Sequence, residues 1–376
     1  MDMKYIPEKH LPLRRALSRI TLGLRQSRII DTPVNQPLSV SDFAYTNQGV
    51  VRRRKKIVLT APGCTAATCT MCPIPNEAMY GLRRIFNYDD YIQQFDSAFS
   101  NEEIDSYEAI SVYNSGNWFA NKEIPSYVRK TIYQRIANSS CNVLIVESLP
   151  QFITETAISE AKEILGDKKL VVGIGLQSAD DFVRNVCMNT SCTKEHFERA
   201  ATLLWDHGFE PRVYLMIKPP FLSETEAVND CVDSIRYARK LGFADVSVCP
   251  TRVAPNTVVY EMWRLGHYTP PSLWTAVDIL RGVGDSTGIR VTCLDLDSKD
   301  EDTLYPGGCT KCKAKLLQAL ISFNATQDLT QLQVIKCECA ADRQAVDAYL
   351  DTVPIEERIA LFVRDHEESI TSRSLS

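Results

Sequence analysis

Cys64, Cys69 and Cys72 stand in a C-x4-C-x2-C run, Gly63-Cys64-Thr65-Ala66-Ala67-Thr68-Cys69-Thr70-Met71-Cys72-Pro73. Three thiolates on one short loop can ligate three irons of a cubane cluster and leave the fourth iron open. An open iron can chelate a small molecule and pass an electron to it. A zinc site would need a fourth ligand close by, and no other His or Cys lies within forty residues of this run. The spacing therefore predicts a [4Fe–4S] centre.

A second set is Cys309-x2-Cys312 followed, after 24 residues, by Cys337-x-Cys339. Four thiolates in two pairs form a tetrahedral sulfur donor set. A structural zinc is the expectation, with an auxiliary iron–sulfur cluster and free cysteines as alternatives. The other six of the 13 cysteines (Cys141, Cys187, Cys192, Cys231, Cys249 and Cys293) are scattered and read as small buried hydrophobes.

Polar residues follow several apolar runs. Asn114-Ser115-Gly116-Asn117 puts amides, a hydroxyl and a glycine, which admits close backbone approach, straight after one such run. A plain turn is the alternative there. Glu147 ends the next run with a carboxylate, and Gln177 the one after it. Lys218, ahead of Pro219-Pro220, is expected to point an amine into the mouth of the fold, with a surface lysine as the alternative.

The runs that must position these groups are Ile57–Ala61, Ala109–Tyr113, Val143–Val146, Leu170–Ile174, Arg212–Ile217 and Asp245–Cys249. Helical stretches alternate with them: 88–99, 124–136, 155–164, 194–207 and 224–241. Strand–helix alternation means a parallel sheet. Six such units predict an α/β fold with an incomplete (β/α)6 barrel; a closed eight-stranded barrel is the competing topology. Residues 1–50 read as an N-terminal extension with one amphipathic helix, and 51–300 as the partial barrel with a further strand at Ile289–Cys293. Residues 301–350 read as a cysteine-rich metal-binding subdomain, and 351–376 as a C-terminal helix with a disordered tail. The basic run Arg52-Arg53-Arg54-Lys55-Lys56 reads as a solvated approach to the first strand, or as an anion contact.

The chain has 376 residues, a net charge of −5 and 44% hydrophobic residues. This composition suits a soluble globular protein and disfavours one that wraps nucleic acid unaided. No apolar run is long enough to span a membrane. The first residues lack an apolar signal core, so a cytoplasmic location is expected.

A cluster with an open iron at the strand ends of an incomplete barrel resembles the radical S-adenosylmethionine superfamily, although the spacing most common there is C-x3-C-x2-C. The segments Thr70-Met71-Cys72, Ser115-Gly116-Asn117-Trp118-Phe119, Val146-Glu147-Ser148-Leu149-Pro150 and Gly175-Leu176-Gln177 narrow the resemblance. So do Lys218-Pro219-Pro220-Phe221, the 263–274 segment from Trp263 to Trp274, and the paired C-terminal cysteines. Together they are similar to the radical S-adenosylmethionine subunit of archaeosine synthase and its bacterial relatives, over about residues 50 to 345.

The resemblance implies reductive cleavage of S-adenosylmethionine to a 5′-deoxyadenosyl radical that abstracts hydrogen from a small-molecule or modified-nucleobase substrate. It implies cofactor contacts at Asn114, Ser115, Gly116, Asn117, Glu147 and Gln177, and an electron donor of the reductase or flavodoxin type. An archaeosine-synthase-like lyase would act on lysine-modified 7-deazaguanine in tRNA with a partner subunit. A non-catalytic iron–sulfur or zinc protein is the remaining class. Two departures touch the substrate side: Cys249-Pro250-Thr251-Arg252 replaces an Asn-Pro start, and Gln177 stands where many relatives carry Glu. Trp118, Trp263 and Trp274 are candidates for the substrate pocket, with burial in the core as the other reading.

Overall fold

A computed structural model describes residues 6–25, 33–47, 50–77, 87–99, 103–292, 294 and 302–374. Met1–Tyr5 and Cys293 lie outside the described residues. Eight strands form one sheet in sequence order: β1 (Ser39–Asn47), β2 (Val50–Val58), β3 (Ala109–Tyr113), β4 (Val143–Ser148), β5 (Lys169–Gln177), β6 (Glu210–Ile217), β7 (Asp245–Pro250) and β8 (Ile289–Val291). β1 runs antiparallel to β2, and every later pairing is parallel. β1 and β8 are both edges, so the sheet is a curled half-barrel rather than a closed one.

The predicted strands are found, with two differences. The barrel's first strand begins earlier than expected, at Val50, so the basic run lies inside β2 rather than ahead of it. Alternation explains this. Lys55 and Ile57 face the helices, while Arg54 and Lys56 face inward, where the neighbouring strands also present polar groups. Arg53 is anchored by Asp42 on β1, its Nη2 2.6 Å from the carboxylate. β1 itself falls in the stretch read as an extension.

Two sides of the sheet differ in kind. The helix-facing residues, among them Ile57, Val112, Leu144, Val172, Leu215 and Val248, are completely buried. They pack on helices Ser126–Ala137, Glu155–Leu165, Lys194–Asp206 and Glu224–Lys240. Cap residues start these helices: the Thr154 hydroxyl accepts from Ala157 N, and Ser223 with Glu226 makes a capping box. The inner face is largely polar and half-buried at Arg54, Lys56, Tyr113, Glu147, Gln177, Arg212, Tyr214 and Arg290.

A second core joins the two ends of the chain. Ile6 and Leu17 of the N-terminal segment pack with Met71, Val183, Met188, Met262, Ile359 and Phe362. The C-terminal helix runs Ile355–Ser374, through most of the polar stretch expected to be disordered. Among the described residues no helix is long and apolar enough to cross a membrane.

Candidate metal centres and the strand-end face

The three-cysteine loop leaves the C-terminal end of β2, the face at which parallel α/β sheets place their chemistry. Cys64, Cys69 and Cys72 are all half-buried, unlike Cys141, Cys187, Cys192 and Cys231, which are buried. Burial pushes the Cys69 thiol up, and neighbouring Cys72 and Cys64 add to this, while Arg25 and Arg14 oppose it. Burial and Glu123 likewise raise Cys64. Ligation there must displace thiol protons.

The loop is held from three sides. Arg25 donates from Nε to Ala67 O (3.2 Å), from Nη1 to Cys72 O (2.7 Å) and from Nη2 to Cys69 O (3.1 Å). A π-type turn at Val183–Cys187 presents carbonyls to the loop. Cys187 O accepts from the Thr70 hydroxyl at 2.7 Å, and Met188 O from Thr70 N at 3.1 Å. On the third side sits Glu123, 4% exposed. Its Oε1 accepts from Thr65 N (2.9 Å), the Thr65 hydroxyl (2.7 Å) and Asn117 Nδ2 (2.9 Å), and its Oε2 from Asn117 N. Asn117 Nδ2 also reaches Cys64 Sγ at 3.4 Å, and Asn117 Oδ1 accepts from Leu149 N at 2.8 Å. Asn117 is thus a bracket between β3, β4 and the cysteine loop. Neither Arg25 nor Glu123 is signalled by any motif; both are far from the cysteines in sequence.

The rest of the 114–117 turn stays open for a ligand. Asn114 is 3% exposed, and its Nδ2 has no hydrogen-bond partner; the same holds for the Ser148 hydroxyl after β4. Orphaned buried polar atoms at a strand-end face fit a polar ligand. Gly116 is required here, because a Cβ would come within 2.1 Å of Glu123 Oε2. Non-glycine residues in the left-handed region cluster on this face: Ala67 (φ 38°), Ser115 (φ 53°), Gln177 (φ 69°) and Lys218 (φ 55°). Such strain gathers at functional sites. Glu147 lies on the inner face below, raised above the usual carboxylate range by burial, with the Tyr214 hydroxyl donating to it. A Cβ at Gly173 would meet Tyr214 Cε2 at 2.3 Å, so that glycine makes room for the ring.

Lys218 departs from expectation. Its ammonium does not enter the barrel mouth. It is 1% exposed and paired with Glu224 Oε1 (3.0 Å) and Asp347 Oδ2 (2.8 Å), with the Thr269 hydroxyl at 3.0 Å. Two of the tryptophans take the core reading rather than the pocket one. Trp118 and Trp274 are buried in the helix-side core, Trp118 donating to the Tyr133 hydroxyl at 2.8 Å. Trp263 is surface-exposed and packs on Tyr260.

The C-terminal cysteines converge tightly. Cys309–Cys312, Cys309–Cys337, Cys312–Cys339 and Cys337–Cys339 sulfurs are 3.6, 3.4, 3.4 and 3.4 Å apart. Metal–sulfur bonds of about 2.3 Å in a tetrahedron give edges of roughly 3.8 Å, so the set fits one ion. Among the described residues it is the one such convergence.

Fold and site together define an α/β half-barrel with a three-thiol loop on its strand-end face and a separate four-thiol centre. No protein-family profile matches the chain. It is 26% identical over 330 residues, 86% of its length and 94% of the relative's, to archaeosine synthase subunit beta of Methanosarcina acetivorans. It is 29% identical over 299 residues, 75% of its length and 88% of the relative's, to archaeosine synthase subunit beta of Thermococcus kodakarensis. The resemblance drawn from the motifs therefore holds along most of both chains. Among solved structures it is similar to Methanocaldococcus infernus Elp3 with an N-terminal deletion, at TM-score 0.48 and 17% identity, covering 69% of this chain and 62% of that one.

Proposed function

We propose that this chain is a radical S-adenosylmethionine enzyme subunit. The observation that carries the reading is the three-thiol loop at the end of β2, beside a turn with orphaned buried polar groups. Cys64, Cys69 and Cys72 would hold the cluster, and Asn114, Ser115, Gly116 and the Gln177 end of β5 would hold the methionine and ribose parts of the cofactor. When bound, that pair supplies a one-electron cleavage yielding a 5′-deoxyadenosyl radical, which takes a hydrogen atom from substrate.

The chain's own residues bind, orient and exclude water. Arg25 and Glu123 fix the loop from opposite sides. Asn117 ties Cys64 to β4, so cluster and cofactor pocket share one frame. Burial raises the Glu147 carboxyl, and the Tyr214 hydroxyl donates to it on the cleft floor. The four C-terminal thiolates would hold a structural zinc, their spacing fitting one ion rather than a cubane.

Two relatives are named as beta subunits of archaeosine synthase, which supports a partner subunit for this chain too. A modified nucleobase or a small molecule is the substrate class, with an electron donor of the reductase or flavodoxin type. The changed segment after β7 favours a substrate different from the tRNA base of the archaeosine enzymes. Anaerobic reconstitution tests the reading. Wild-type protein should hold a [4Fe–4S] signal and cleave S-adenosylmethionine when reduced; the Cys64/Cys69/Cys72→Ala triple variant should do neither. A loaded, reduced protein that leaves S-adenosylmethionine intact would point to the non-catalytic class.

A further inference from the structure

The inner face of the half-barrel carries more positive charge than it neutralises. In a closed barrel, inward positions are filled by branched apolar side chains. Here Arg54 of β2, Arg212 of β6 and Arg290 of β8 all stand on the inner side of their strands and are half-buried. One carboxylate serves two of them. Asp245 takes Arg212 Nε at 2.8 Å on Oδ2 and Arg290 Nη2 at 2.5 Å on Oδ1. Arg54 has no such partner. Among the described residues no carboxylate pairs with it, and its Nε is shut from solvent without a hydrogen-bond acceptor. Its guanidinium lies 5.1 Å from the centre of the Phe43 ring, which is 40% exposed at the β1 edge of the cleft. Burial disfavours the Arg54 charge, and the neighbouring Arg212 and Arg290 charges add repulsion.

A buried donor without an acceptor costs about 1–3 kcal/mol, more when charged. Retaining a guanidinium there, next to two others, makes sense where an anion completes the set. Guanidinium presents its donors as a planar fork that matches the two oxygens of a carboxylate or phosphate. We propose that the floor of the half-barrel binds an oxyanion of the substrate, phosphate or carboxylate, through Arg54 with Arg212 and Arg290 beside it. The site lies on the concave face below the cysteine loop. It would anchor a remote part of the substrate while the reacting carbon faces the strand ends, so that binding energy from a non-reacting group positions the reacting one. The inference rests on the reading of the inner face as the substrate cleft, and it needs no particular radical chemistry.

Titration calorimetry on the reconstituted full-length protein tests it, with inorganic pyrophosphate and succinate as separate probes. Wild type should bind at least one of them, more weakly as salt rises. Arg54→Met should bind roughly ten- to a hundredfold more weakly, the loss of one or two charged hydrogen bonds. Arg54→Lys, which keeps the charge without the fork, should fall between, and guards against a folding defect in the first variant. Binding of pyrophosphate alone assigns a phosphorylated substrate and binding of succinate alone a carboxylic acid; both outcomes support the site. No binding by wild type, or equal binding by wild type and Arg54→Met, overturns it. Cleavage of S-adenosylmethionine, assayed separately in wild type, keeps the two readings apart. Cleavage without anion binding refutes this site alone, and anion binding without cleavage refutes the radical assignment alone.

Discussion

Arg25 shows how much a single side chain can carry at this site. Its five donors suit several carbonyls at once, and here they meet three carbonyls of one loop, two of them belonging to cysteines. The bonds hold the loop's shape, and the charge lies beside thiols that burial otherwise keeps protonated. Arg25→Gln should therefore retain less iron after reconstitution and shift the cluster's reduction potential to more negative values. Arg25→Lys should restore part of the potential, because it keeps the charge, but less of the iron retention. A potential unchanged in both variants would leave Arg25 a purely structural clamp. Asp230 gives a prediction of a different kind. Its carboxyl is raised from 3.8 to about 7, mainly by burial, with the Ser178 hydroxyl bonded to Oδ1. Its Oδ2 is buried without a partner. The folded state thus holds a proton that the unfolded chain releases near pH 4, and stability falls as pH rises through the window from about 4 to about 7. At about 1.4 kcal/mol per unit the full effect is a few kcal/mol at most. Asp230→Asn should raise the melting temperature most at pH 8, less at pH 5, and change it little below pH 4. Parallel pH profiles for variant and wild type would rule this group out.

At the scale of elements, the glycines at the strand ends set what each turn can do. Gly116→Ala forces Glu123 away from its bonds to Thr65 and Asn117, since the new Cβ overlaps Oε2. The variant should fold, because the helix-side core is untouched, yet lose most of its cluster absorption on reconstitution. Full iron loading in Gly116→Ala would show that Glu123 is not needed to shape the loop. The elements also show what could be read from the chain. Strands β3 to β7 and their helices were legible because every second residue, or one face of each helix, meets a dry core and must be apolar. β1 was not, since Ser39–Asn47 alternates weakly and its pairing is set by β2 rather than by its own pattern. The basic run was misplaced because inward positions are normally apolar, and here Arg54 and Lys56 stand on a largely polar inner face. The four C-terminal cysteines were legible as a set because their chemistry is compressed into two short pairs. Arg25, Glu123 and Arg54 were not, since their partners lie on other elements and only the fold brings them together. Lys218 was misread because its carboxylate Asp347 comes from a distant segment.

The whole molecule is closed by its C-terminal third, and the four-thiol centre is the hinge of that closure. Helix Lys313–Thr326 leaves Cys312 and packs Leu316, Leu320 and Phe323 against the core, while Cys337 and Cys339 bring the chain back to the same point. Helix Cys339–Val346 then delivers Asp347 to the buried Lys218 at the end of β6. Further on, Arg358 bonds Phe221 O at 2.7 Å and pairs with Glu226. A bound ion would contribute folding free energy to this path, because a four-thiolate site scarcely exists in the unfolded chain. Removing one ligand should therefore act on stability first. Cys339→Ser should melt several degrees below wild type, and limited proteolysis should cut within 302–350 before it reaches the strands of the barrel. The Cys64/Cys69/Cys72→Ala variant, which lacks the other centre, isolates the metal. It should carry close to one zinc per chain and no iron. Four irons per chain in that variant would mean an auxiliary cluster, contrary to sulfur spacings that fit a single ion, and would move this centre from scaffolding to electron transfer or substrate anchoring. An unchanged melting temperature in Cys339→Ser would equally overturn the structural role, since the path from Cys339 through Asp347 to Lys218 would then hold without the metal.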